Sequence, residues 1–96
     1  MHIQEAQALI EKMYSHKDRV RGTPATFLWF MEEVGELAEA LAKGTPQERA
    51  GEFADVFAWL LTLANIEGVD VEQAFRKYSD SCPGCGKFVC TCTEKA

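Results

Sequence analysis

The chain of 96 residues and 10.7 kDa has room for one small domain and none for a separate cofactor domain. With 47% hydrophobic and 26% charged residues, it is composed like a globular protein rather than a disordered or fibrous one. Fifteen acidic against ten basic residues leave a net charge of -5, without the basic excess that counterion-driven nucleic-acid binding needs.

Apolar residues at Ile3, Ala6, Leu9, Ile10, Met13, Tyr14 and Val20 recur every three or four positions, which predicts a first amphipathic helix over residues 3–21. Gly22 breaks that pattern, and Thr23 with Pro24 offers a capping hydroxyl and a preset first-turn φ. A second helix is therefore expected over residues 24–43. Gly44 suits a left-handed cap, and Thr45-Pro46 repeats the start signal, so a third helix over residues 46–67 follows a very short turn. Gly68 ends it. Asp70, with Gln73 in the capping-box position, predicts a shorter fourth helix ending near residue 78.

No stretch of residues 1–80 sustains a period-2 alternation, so the fold class is all-α. A chain this small buries little surface alone. The hairpin of the second and third helices is expected to form a four-helix bundle with its copy, giving a homodimer or homotetramer. Phe27, Phe30, Met31, Val34, Leu37, Leu41, Phe53, Phe57, Leu60 and Leu61 supply the apolar surface. The longest apolar run, Val56 to Ala64, is broken at Thr62 and falls short of the roughly 20 residues of a membrane span. No membrane or nucleic-acid partner is expected. The first residues lack the pattern of a secretory signal, so the expected location is the reducing cytoplasm.

The second helix carries Glu32, Glu33, Glu36 and Glu39 with no basic residue among them, and the third carries Glu52 and Asp55. Like charges three or four apart weaken a helix by a few tenths of a kcal/mol each, and Gly35 adds about 1 kcal/mol of helix penalty in the same turn. A hairpin turning at Gly44 sets Glu36 level with Glu52 and Glu33 level with Asp55. The two acidic flanks converge for one hand of the hairpin and diverge for the other, and the sequence does not choose the hand. If they converge, the carboxylates make an oxygen-rich site for Mg²⁺ or Mn²⁺. Merely solvated acidic helix faces are the alternative. A ferritin-like di-iron site needs Glu-x-x-His motifs, which neither His2 nor His16 provides.

Glu32-Glu33-Val34-Gly35-Glu36, followed by Glu52-Phe53-Ala54-Asp55, resembles the EExxE...ExxD pattern of the MazG-type nucleotide pyrophosphohydrolases, the all-α NTP pyrophosphatase superfamily. Leu63-Ala64-Asn65 and Gly68-Val69-Asp70 extend the likeness. The resemblance implies Mg²⁺-dependent hydrolysis of a nucleoside triphosphate to the monophosphate and pyrophosphate, as nucleotide housecleaning. It implies Glu33, Glu36, Glu52 and Asp55 as metal ligands, and Glu32 as a further ligand or the group that orients or deprotonates the water. Glu33 would share in that catalysis.

Lys12, Lys17, Arg19 and Arg21 either reach the phosphates or form a solvated face with Glu11 and Asp18. Trp59 is either a base-stacking wall or core. Asn65 sits where the resembling family often has an Asn near the nucleotide; its other reading is an exposed or interface amide.

Beyond a helical domain over residues 1–80, residues 81–96 form a cysteine-rich tail. Cys82-Pro83-Gly84-Cys85-Gly86-Lys87 has the spacing of a metal knuckle, and Cys90 and Cys92 complete four thiolates, which suits structural Zn²⁺; reduced free thiols or redox chemistry is the alternative, and the compressed spacing of Cys90 and Cys92 leaves open whether one chain closes the site alone. A non-catalytic helical zinc-binding adaptor, docking through this tail onto another protein, is the alternative to an enzyme.

Overall fold

A computed structural model describes residues 1–94. Helix α1 (Ile3–Lys43) and helix α2 (Pro46–Glu67) pack against each other as an antiparallel hairpin, and a short α3 (Val71–Phe75) runs into a 3-10 turn, Arg76–Tyr78. Among the described residues there is no strand, and no helix is long and apolar enough to cross a membrane.

The two helices expected over residues 3–21 and 24–43 form the two arms of α1, parted where Gly22 leaves helical geometry. Gly22 makes the kink at φ 79° and ψ 171°, a region of backbone space essentially closed to residues with a Cβ. Pro24 follows two residues later, in the first turn of the second arm, where its missing N–H leaves no helical bond unmade. The Thr23 hydroxyl, expected to cap that arm, instead donates to Glu67 Oε2 at 2.5 Å, tying the kink to the end of α2.

The turn between α1 and α2 is two residues long, and Gly44 is extended at φ -85° and ψ 166°, not left-handed as expected. Glycine is required there for space. A Cβ at position 44 would lie 2.8 Å from the carbonyl oxygen of Ala40 and 2.9 Å from its Cα. Thr45 and Glu48 then start α2 with reciprocal bonds, Glu48 N–H to Thr45 Oγ1 at 3.1 Å and Thr45 N–H to Glu48 Oε1 at 2.8 Å. The capping bond pulls the Glu48 carboxyl below its ordinary range. At the far end Gly68 is left-handed, φ 71°, and Asp70 accepts from Gln73 N–H at 3.0 Å to start α3.

The first arm of α1 is held across the hairpin by polar bonds. The Gln7 amide donates to Asn65 Oδ1 at 3.0 Å and to the Val69 carbonyl at 2.7 Å, while its oxygen accepts from Val71 N–H at 3.0 Å. The apolar core is thin: Ala40, Leu61 and Ala64 are its buried hydrophobic residues, alongside buried Asp18, Thr26 and Thr62. Phe27, Met31, Leu41, Phe53, Phe57 and Leu60 are each at least 40% exposed. The chain presents 7102 Å² to solvent, against about 5500 Å² for a compact monomer of this mass. Its radius of gyration of 15.6 Å likewise exceeds the roughly 12.5 Å of a compact chain this long.

Candidate active site

The hand of the hairpin brings the two acidic flanks together. One carboxylate oxygen from each of Glu33, Glu36 and Glu52 lies within 4.8 Å of the other two, which realises the expected meeting of Glu36 and Glu52; Asp55, expected level with Glu33, is not in this close group. Glu33 and Glu52 are half-buried, Glu36 and Asp55 exposed. Glu33 Oε2 and Glu52 Oε2 are buried without a hydrogen-bond partner, a costly state for an ionised oxygen that has neither donor nor cation beside it.

Electrostatics register the crowding. Burial, then a hydrogen bond and the charge of Glu36, then the charges of Asp55 and Glu52, push the Glu33 carboxyl from its ordinary 4.5 up to about 7. Burial followed by the charges of Glu36, Asp55 and Glu48 raises Glu52 as well. Glu33 and Glu52 thus each feel the charges of neighbouring carboxylates across the hairpin. A hard divalent cation bound by oxygen ligands would satisfy the two orphaned oxygens and remove the repulsion, so the residues present fit such an ion.

A family model describing the MazG nucleotide pyrophosphohydrolase domain matches residues 22–85. The chain belongs to this family. No curated protein matches it. The match spans two thirds of the chain, including Glu32, Glu33, Glu36, Glu52, Asp55, Trp59 and Asn65, and leaves out Lys12, Cys90 and Cys92. Membership carries nucleotide pyrophosphohydrolase-type activity, and thus a nucleotide substrate, as the broad function of the domain.

Two hollows flank the acidic cluster of this MazG domain and share Asp55. The one toward the turn, about 550 Å³, is lined by Glu36, Glu39, Lys43, Glu48 and Glu52. The other, about 300 Å³, lies between the first arm of α1 and α2 and is lined by Tyr14, Lys17, Asp18, Arg21 and Trp59. Trp59 stacks on Trp29 with ring centres 6.3 Å apart and planes 20° apart. The Arg21 guanidinium sits 5.0 Å from the Trp59 ring centre. Arg21 is fixed there by Asp18 Oδ1 and Thr26 Oγ1, both at 3.1 Å.

Other residues singled out from the sequence stand apart. Lys12 is exposed and lines neither hollow; Arg19 pairs with Glu11 at 2.8 Å. Asn65 accepts from Gln7 through Oδ1, donates from Nδ2 to the Gln7 carbonyl at 3.2 Å, and borders a different hollow beside Val69 and Asp70. Glu32 is exposed and outside the three-carboxylate group.

Asp18, which the sequence alone offers as a surface partner, is 2% exposed and organises the hollow through Arg21. Its spacing of three residues from Arg21 was the available signal. At the other end of the chain the four cysteine sulfurs also lie within 4.8 Å of one another.

Proposed function

We propose that this protein hydrolyses a nucleoside triphosphate to the monophosphate and pyrophosphate in the presence of Mg²⁺ or Mn²⁺, with the acidic cluster as its metal site. The observation that carries this reading is the pair of buried, partnerless oxygens on Glu33 and Glu52 inside a three-carboxylate group, in a domain of the MazG family. Glu33, Glu36, Glu52 and Asp55 would hold the ion. Bound there, a divalent cation would neutralise phosphate oxygens and lower the pKa of a coordinated water.

The chain's own residues supply the rest. At the edge of the second hollow, Lys17 and the Asp18-paired Arg21 offer N–H donors that phosphate oxygens can accept from. The Trp59 ring, with Trp29 stacked on it and the Arg21 guanidinium 5.0 Å from its centre, would form an aromatic wall for the nucleobase, next to Asp55 and so next to the cluster. Water adds to phosphorus at the α–β bridge as the bridging oxygen leaves with pyrophosphate. Glu32 or Glu33 takes the water's proton, a role that rests on the family resemblance.

We also propose that the protein works as a pair of chains. Phe27, Met31, Phe53, Phe57 and Leu60 remain uncovered in one chain, and the surface of 7102 Å² exceeds that of a compact monomer by about 1600 Å². A second copy laid on that face would complete a four-helix bundle. Sedimentation equilibrium is expected to return a dimer or a tetramer; a monomer at micromolar concentration would refute this part.

Turnover with and without Mg²⁺, for the parent and for Glu36→Gln and Asp55→Asn, tests the site. Loss of hydrolysis in both variants, with helical circular dichroism unchanged, is the expected result. Normal turnover by either folded variant would sink the assignment.

A further inference from the structure

We propose that the tail closes a structural zinc site within one chain, the metal held by Cys82, Cys85, Cys90 and Cys92. This site lies outside the nucleotide reading, because the family match ends at residue 85 and so accounts for neither Cys90 nor Cys92. Its support is geometric. A Zn–S bond of about 2.3 Å in a tetrahedron places the sulfurs about 3.8 Å apart. Cys82 Sγ stands 3.6 Å from Cys90 Sγ and 3.9 Å from Cys92 Sγ, and all four sulfurs fall within 4.8 Å of one another. The compressed Cys-x-Cys half of the motif therefore still reaches the Cys-x-x-Cys half.

The local backbone is wound for a metal. The Cys82 N–H donates to the Lys87 carbonyl and the Gly86 N–H to the Cys82 carbonyl, both at 2.8 Å, and Gly86 adopts φ 75°, which a residue with a Cβ resists. The segment after this loop turns backbone N–H groups onto sulfur. Thr91 N–H points to Cys85 Sγ at 3.4 Å and Cys92 N–H to Cys90 Sγ at 3.3 Å, bonds of the kind that stabilise thiolate charge around a metal.

Apolar burial cannot account for such order. Phe88 and Val89 are 83% and 77% exposed, the described part of the tail contains no helix or strand beyond the Arg76–Tyr78 turn, and a segment this short needs a metal or cross-links to hold one shape. Positions 95 and 96 lie outside the described residues. Four sulfurs leave no open coordination position, which makes the site structural rather than catalytic. The thiol protons leave as the thiolates bind, so chelation and acid release the metal.

The test is the metal content of the full chain, purified under reducing conditions without chelator. One zinc per chain is expected, falling at least tenfold in Cys85→Ser and in Cys92→Ser while remaining in Glu52→Gln. Substituting Co²⁺ should give the sulfur-to-metal charge-transfer band and intense visible bands of a tetrahedral thiolate site. Zinc below a tenth of stoichiometric, half a zinc per chain, or four thiols that react at once in the folded protein would each overturn the proposal. These readouts do not depend on turnover, so an inactive protein with one zinc would count against the nucleotide reading alone.

Discussion

Replacing Glu33 by glutamine should stabilise the metal-free protein at alkaline pH while abolishing its activity. Carboxylate oxygens within 4.8 Å of one another repel by about 0.9 kcal/mol per pair even at the dielectric of water. The displacement of the Glu33 carboxyl from 4.5 to about 7 sets a ceiling of roughly 3.4 kcal/mol on the cost of ionising it in the fold. Because the cluster opens to solvent, screening brings the usable figure down to about 1 kcal/mol. In a domain of this size that corresponds to a melting shift of about 4–8 °C.

The sign follows from the direction of the shift. A carboxyl whose folded pKa is raised contributes stability that is full below 4.5 and lost as the pH rises through about 7. Glutamine carries no such loss, so in chelator at pH 8 the variant should melt several degrees above the parent, and at pH 5 the gap should narrow. With Mg²⁺ the order should reverse, since only the parent gains a ligand; at a hundredfold excess over Kd that gain is about 2.7 kcal/mol. Thermal denaturation followed by circular dichroism reads all three conditions. A variant that melts no higher than the parent at pH 8 in chelator, or a gap equal at both pH values, would show that Glu33 carries no such electrostatic cost.

Gly44→Ala should lower stability by about 1–3 kcal/mol by forcing the turn away from Ala40, whose carbonyl oxygen would stand 2.8 Å from the new Cβ; an unchanged urea midpoint would contradict this. Leu61→Ala, at a side chain 1% exposed, should cost about 3 kcal/mol, moving the urea midpoint without changing the slope. Trp59→Ala should raise the KM for a nucleoside triphosphate more than it lowers kcat, by roughly 5–160-fold if stacking contributes about 1–3 kcal/mol. An unchanged KM would remove the base from that hollow.

Much of this arrangement was legible in the residues. Glycine and Thr-Pro signals locate the ends of the long helices, and a two-residue turn after Lys43 sets Glu36 against Glu52. Convergence of the acidic flanks was not legible, because the hand of a hairpin is decided by how whole helix faces pack and not by any local pattern. The conformation of Gly44 escaped for a related reason: close approach to Ala40 and a positive φ select the same residue. Thr23 carried the right type for a cap, but Glu67, 44 residues away, took its hydroxyl. Trp59, read as either core or base platform, is half-buried against Trp29 and still borders the hollow beside Asp55. Residues such as Phe53 and Phe57 follow the helical period of a core yet stand open; a periodic stripe tells which face is apolar, not what covers it.

Phosphorus NMR of the products formed during turnover reads the proposed reaction itself. With Mg²⁺ and a nucleoside triphosphate, monophosphate and pyrophosphate should rise in equal amounts, with neither formed by Glu36→Gln. Nucleoside diphosphate with orthophosphate, or no product from folded, Mg²⁺-supplied protein across ordinary, deoxy and modified nucleotides, would contradict it.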